Sequence, residues 1–193
     1  MFLVVGRHED PPSLDDDVIA TTLTRLCLAP RWLDPADLAP DSAATSIGII
    51  LTDRLGSGSL SMERFVAFIE RVTVPLLAFG DAARMLAEAC AATTAVRTGA
   101  PAGTARIDVD NTCVLFDFLP ERVELEGWSG SSFVAMSPQL VATAHDRDGR
   151  VVAFEHRERD LFAVDFLIAV AGKAGHQLVD NFARYAGTAS GEL

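Results

Sequence analysis

The stretch TVPLLAFGDAARMLAEA, residues 73–89, decides the fold. Its first part, VPLLAF (74–79), is a continuous apolar run of strand length, the signature of a parallel strand buried on both faces. From Asp81 the chain turns to alanine, leucine, methionine and glutamate, which favour helix. A buried strand, a tight turn and a helix form the layout by which α/β enzymes present a nucleophile. Gly80 stands where that nucleophile is expected. A glycine accommodates a strained, positive-φ turn but has no reactive group.

Upstream, the same alternation recurs. FLVVG (2–6) reads as a first buried strand, and the segment from Asp15 to Ala29 as a helix capped by Asp15, with acidic residues in its first turn. Trp32 and Leu33 fit a short edge strand. SIGIILT (46–52) is a second buried strand, and SMERFVAFIERV (61–72) an amphipathic helix. The helix after Gly80 is expected to run from Asp81 to Val96. Strands alternating with helices predict a parallel sheet with right-handed crossovers.

The second half changes character. TARIDVD, a strand beginning at Cys113, RVELEGW, SSFVAMS, LVATAHD, VVAFEHR and LFAVDFL are strand-like segments separated by turns. DRDGR (146–150) is a hairpin signal. A final helix is expected over AGHQLVDNFARYA (174–186), with His176 in the glycine-rich segment at its start.

Composition narrows the function classes. The 193 residues fit one domain, read as 1–190, and 49% are apolar, enough for a full core. A net charge of -11 repels phosphate backbones, which argues against nucleic acid as a partner. No apolar run approaches the roughly 18 residues of a membrane span, and the short N-terminal run reads as a strand and not a leader, so a cytoplasmic protein is expected. Cys27, Cys90 and Cys113 have no metal-ligand spacing and are expected as buried, reduced thiols. His8, Glu9 and Asp10 are adjacent on a loop, where three consecutive side chains rarely converge on one ion. No metal or cofactor is expected.

The order of elements and three local strings, PLLAFGDAARMLAEA, LVATAHDRDGRVVAFEHRERDLFAVDF and GHQLVDNFARYA, resemble the class I glutamine amidotransferases over nearly the whole chain. The resemblance implies a flavodoxin-like, three-layer α/β fold with a mixed, mainly parallel central sheet and a C-terminal β-hairpin region. It also implies a cysteine–histidine–glutamate triad for glutamine hydrolysis. Position by position, Gly80 falls on the family's cysteine, Leu167 on its histidine and Ala169 on its glutamate. Pro75, Leu76 and Leu77 keep the strand of the elbow, Arg84 replaces a glutamine, and Asp165 replaces the glutamine just before the histidine. The loop TDRLGSGSLS retains only Gly56 and Gly58 of a glycine-rich signature, while Trp128 and Ser129 fall in the family's glutamine-binding segment.

Chemically, those substitutions remove the reaction. Glutamine hydrolysis needs a thiolate, a base and a carboxylate that orients the base. Glycine, leucine and alanine supply none of them. Asp81 follows the nucleophile seat, where its charge opposes an oxyanion, and an Asp81–Arg84 ion pair is expected to plug the vacated space. The resulting expectation is an inactive amidotransferase-like protein that scaffolds or regulates a synthase or another biosynthetic enzyme subunit, or forms a homodimer. The alternatives are altered acid–base chemistry on Asp81, Arg84 and Asp165, or a small carboxylate ligand held by Gly56, Asp81, Arg84, Trp128 and Ser129.

Overall fold

The computed structural model describes residues 1–6, 13–56, 60–96, 104–126 and 131–191. The expectations for His8, Glu9, Asp10, Gly58, Trp128 and Ser129 lie outside the described residues.

β1 (Phe2–Val5) is buried along its whole length, as its unbroken apolar run requires. Helix α1 (Leu14–Arg25) is capped by Ser13 and not by Asp15. The Ser13 hydroxyl accepts from the Asp16 N–H at 3.2 Å, and the Ser13 N–H donates to Asp16 Oδ2 at 3.1 Å. Serine in extended backbone reaches the third helical N–H, and an acidic residue at that position closes the capping box. Asp15 lies inside the first turn and is left for a tertiary contact. β2 (Pro30–Leu33) forms the expected edge strand beside β1, and β3 (Gly48–Leu51) flanks β1 on the other side. A 3-10 turn at Asp53–Gly56 leads toward α2 (Met62–Arg71), capped by the Ser61 hydroxyl.

β4 (Leu76–Phe79) runs directly into α3 (Gly80–Ala89). The helix stops well short of Val96. Cys90 is its C-cap, Ala91 turns left-handed at φ +60°, and Thr93–Val96 form strand β5. Two threonines and a valine, β-branched, suit a strand better than a fourth helical turn. β6 (Thr104–Val109) follows, and then another departure: no strand begins at Cys113. Asp110 accepts from the Thr112 N–H at 2.9 Å, an Asx turn, and Val114–Phe116 coil into a 3-10 turn. β7 (Arg122–Glu126), β8 (Ser131–Ala135), β9 (Leu140–Asp146), β10 (Val151–His156) and β11 (Leu161–Val164) complete the strands. The 146–150 hairpin forms as expected, with Asp146 accepting from the N–H groups of Asp148 and Arg150 and Gly149 at φ +76°. The chain ends in a 3-10 turn (Ile168–Ala171) and α4 (Lys173–Ser190), which begins early enough to include His176.

Eleven strands form one mixed sheet, ordered β2-β1-β3-β4-β11-β10-β9-β6-β7, with β8 joining β10 to β5. The run from β2 to β11 is parallel, whereas the pairings beyond β11 are antiparallel. Alternate side chains of the parallel strands face opposite layers. Phe2, Val4, Ile50, Leu77, Phe79 and Phe162 pack with Ile19 and Leu23 of α1 and Leu178, Val179 and Phe182 of α4. Leu3, Val5, Ile49, Leu76, Ala78 and Ala163 pack with Phe65 and Phe68 of α2 and Ala82, Ala83 and Leu86 of α3. This sandwich of helices, sheet and helices fixes the elbow, because both faces of β4 are enclosed.

Candidate functional site

The register aligns Leu51 of β3 with Ala78 of β4, and Ala78 with Ala163 of β11. The chain therefore leaves three neighbouring strands at one carboxyl edge, bringing out Asp53, Gly80 and Asp165. Open α/β sheets place ligands at this edge.

Gly80 is buried and takes φ +51°. A Cβ added there would collide with the Asp53 carboxylate. Asp53 Oδ1 accepts from the Asp81 N–H at 2.7 Å. Phe79, the N-cap residue of α3, makes no side-chain capping bond, so a carboxylate from a different turn does that work. The arrangement suits both partners: the first N–H groups of a helix need acceptors, and its dipole favours negative charge. It also means that the N–H following the glycine, the donor an acyl-transfer site would aim at an oxyanion, already serves an internal carboxylate.

Asp81 and Arg84 form the expected ion pair along the first turn of α3. Their side chains are 39% and 25% exposed, so the pair lies at the rim of the edge and is partly screened by solvent. Asp165 is buried just past β11, with its N–H donating to the Val152 carbonyl at 2.8 Å. Gly56 ends the 3-10 turn that carries Asp53. Leu167 is half-buried and precedes the 3-10 turn at Ile168–Ala171, where it makes no capping bond through its side chain. Ala169 is half-buried, and its N–H donates to Asp15 Oδ1 at 2.7 Å. The turns at Gly80 and at Ala169 are thus each pinned by an aspartate from a neighbouring segment.

Sequence reasoning missed Asp53 and the tertiary use of Asp15. The only signal for Asp53 is its place, a carboxylate directly after a buried strand. Asp15 is one of three adjacent aspartates, and nothing local separates the one that reaches Ala169 from its neighbours. A groove of about 390 Å³ opens beside Ala169, between α1 and α4, with Asp17, Thr21 and His176 on its walls. His176 Nδ1 lies 3.0 Å from the Thr22 hydroxyl.

The thiols separate by environment. Cys90 and Cys113 are buried, and burial pushes the Cys90 thiol up and the Cys113 thiol up to about 12. Cys27 is exposed, contrary to expectation, because it sits beyond the end of α1 at φ +58°. His156 is held below its ordinary value, first by burial and then by the Arg159 charge, and its Nδ1 accepts from the Glu158 N–H at 3.2 Å. Among the described residues no three His, Cys, Asp or Glu side chains are grouped to hold a metal ion. No helix among them is long and apolar enough to cross a membrane.

The layers, strand order and elbow define a mixed, flavodoxin-like α/β fold of the class I glutamine amidotransferase type. A protein from Thermoplasma acidophilum, described as one of the subunits of GMP synthase, matches over 99% of this chain and 96% of its own, with TM-score 0.83 and 14% identity. A glutamine amidotransferase from Thermotoga maritima matches over 98% and 85%, with TM-score 0.70 and 14% identity. At that identity the likeness is one of fold. No protein-family model and no curated protein sequence matches the chain.

Proposed function

We propose that this protein is a catalytically inactive glutamine amidotransferase-like domain, spanning residues 1–190, that acts as a scaffold or regulatory partner of a biosynthetic enzyme and does not hydrolyse glutamine. One observation carries the reading. At the apex of the strand–turn–helix stands a glycine, and the Asp53 carboxylate occupies the space its side chain would need while accepting the next N–H.

Two consequences follow for acyl transfer. With Gly80, Leu167 and Ala169 at the positions of the family's triad, there is no nucleophile, base or orienting carboxylate. A tetrahedral oxyanion formed at this edge would meet Asp53 in place of an open donor, and like charges in a partly buried site repel strongly. The alternative of acid–base chemistry on Asp81, Arg84 and Asp165 has less support, since Arg84 is already paired with Asp81. The partner reading draws on the preserved fold and on its likeness to a protein described as belonging to a synthase of more than one subunit.

Purified protein assayed for ammonia release from glutamine is expected to stay at buffer background. Recovery from the native host through a terminal tag, under gentle conditions, is expected to bring a biosynthetic enzyme in stoichiometric amount. Glutamine hydrolysis above background, abolished by a substitution at this edge such as Asp81→Ala, would overturn the inactive reading.

A further inference from the structure

Phe118 is 92% exposed, the highest value for any large apolar side chain among the described residues. It also takes φ +62°. Left-handed backbone is an outlier for a bulky residue, and such conformations persist only where the surroundings over-determine them. Here they do. The carbonyl before Phe118, that of Asp117, accepts from Asn181 Nδ2 at 2.7 Å, and the carbonyl after it, that of Leu119, accepts from Asn111 Nδ2 at 3.0 Å. Asn181 is 5% exposed on α4 and also holds the Leu115 carbonyl at 2.9 Å. Leu115, Phe116 and Leu119 are buried on either side. The turn is rigid, its apolar residues are in the core, and one aromatic ring stands out in water.

Neither backbone nor packing calls for phenylalanine at this point. Asparagine or glycine adopts left-handed backbone more readily and exposes no apolar ring. An aromatic side chain held in place before binding loses little freedom on association, which is how a few residues dominate an interface.

We propose that Phe118 is the anchor of a protein-docking surface, its ring seating in an apolar socket on a partner whose rim is basic. The charge of the rim follows from the surroundings. Asp110, Asp117 and Glu121 flank the ring, and the nearby Arg122 is paired with Asp108 at 3.1 Å. A second copy of this chain, also at -11, would bring like charge to the contact, so the occupant is a different protein. The inference rests on the reading of this protein as the partner of another enzyme, and names the surface it uses.

The test places the photo-crosslinking residue p-benzoylphenylalanine at position 118 of the full-length protein in its native host. In parallel, purified Phe118→Asn is compared with the unaltered protein. The expected result is a single adduct with one other protein, mapped to a peptide bordered by lysine or arginine. That protein, once purified, binds Phe118→Asn at least tenfold more weakly than the unaltered chain, and its binding weakens with added salt. The variant keeps its melting temperature or raises it. A fall in melting temperature of more than about 5 °C would make the ring structural and overturn the proposal. So would equal affinity of the two proteins, an adduct only with a second copy, or no adduct. If a terminally tagged protein recovers a synthase while position 118 yields no adduct, this inference fails and the partner reading stands.

Discussion

Gly80 and Phe118 have nearly the same backbone, φ +51° and +62°, and opposite solutions to it. At the elbow the chain uses the residue that tolerates left-handed backbone best, buries it, and packs a carboxylate into the space a side chain would take. In the β6–β7 loop it uses one of the residues that tolerates that backbone worst, exposes it, and clamps the carbonyls on either side. Strain is commonly concentrated where a protein acts. By that measure the family's catalytic turn has been relaxed here, and the strain sits in a loop on another part of the sheet.

The comparison can be broken most directly by returning a side chain to the elbow. Gly80→Cys places a Cβ against Asp53 in left-handed backbone, and the expected loss is about 3 kcal/mol, from strain plus overpacking, measured by urea unfolding. No glutamine hydrolysis should accompany it. A loss below about 1 kcal/mol would mean that Asp53 moves aside easily and the turn is less committed than described.

Asn181→Ala should come next, costing about 2 kcal/mol, since two carbonyls lose their donor in a buried setting. Asp53→Ala should cost about 1.5 kcal/mol, the value of a helix cap whose loss also leaves the Asp81 N–H without its acceptor. Combining it with Gly80→Cys should give less than the sum of the two, because the first change removes the atoms the second collides with. Strict additivity would separate Asp53 from the elbow. The smallest effect has the opposite sign: Phe118→Asn should stabilise by about 0.5 kcal/mol, reporting the relief of strain at an exposed site.

Thiol labelling sharpens the contrast without mutation. Cys90 lies at the end of the elbow helix and Cys113 at the start of the turn that carries Phe118. At about pH 8 one thiol, Cys27, should react quickly, and the other two only on opening of their regions. The sign for Cys113 follows from its raised value. Its folded value of about 12 exceeds the ordinary 9.0, so its contribution to stability is whole below pH 9.0 and fades as pH rises toward 12. If Cys113 labels before Cys90, the Phe118 turn opens more readily than the elbow, and the rigidity attributed to it is wrong.

Much of the architecture was legible in the chain because its signals are local. Continuous apolar runs mark β1, β3 and β4 as buried on both faces, and Asp-Gly in DRDGR marks the hairpin. The errors share one cause, competition between local preferences that only packing resolves. Alanine-rich ACAATTAV reads as helix, yet Ala91 turns left-handed and the two threonines with Val96 form β5, which pairs with β8. CVLFDF reads as a strand, yet Asp110 and Asn181 capture the backbone into a turn. Of the site, the Asp81–Arg84 pair could be read from i, i+3 spacing on a helix.

The sequence by itself determined the alternation of strands and helices, the glycine at the elbow and the absence of reactive side chains at Gly80, Leu167 and Ala169, since each depends on residue type at a given place along the chain. Only the tertiary structure decided that Asp53 would cap α3 from another turn, that Asp15 would reach Ala169, and that Phe118 would point into water. Those contacts join residues 28 and 154 positions apart, or depend on which side of a packed turn a ring is left. Such outcomes are set by strand register and by the satisfaction of buried backbone groups, neither of which is encoded in any short stretch.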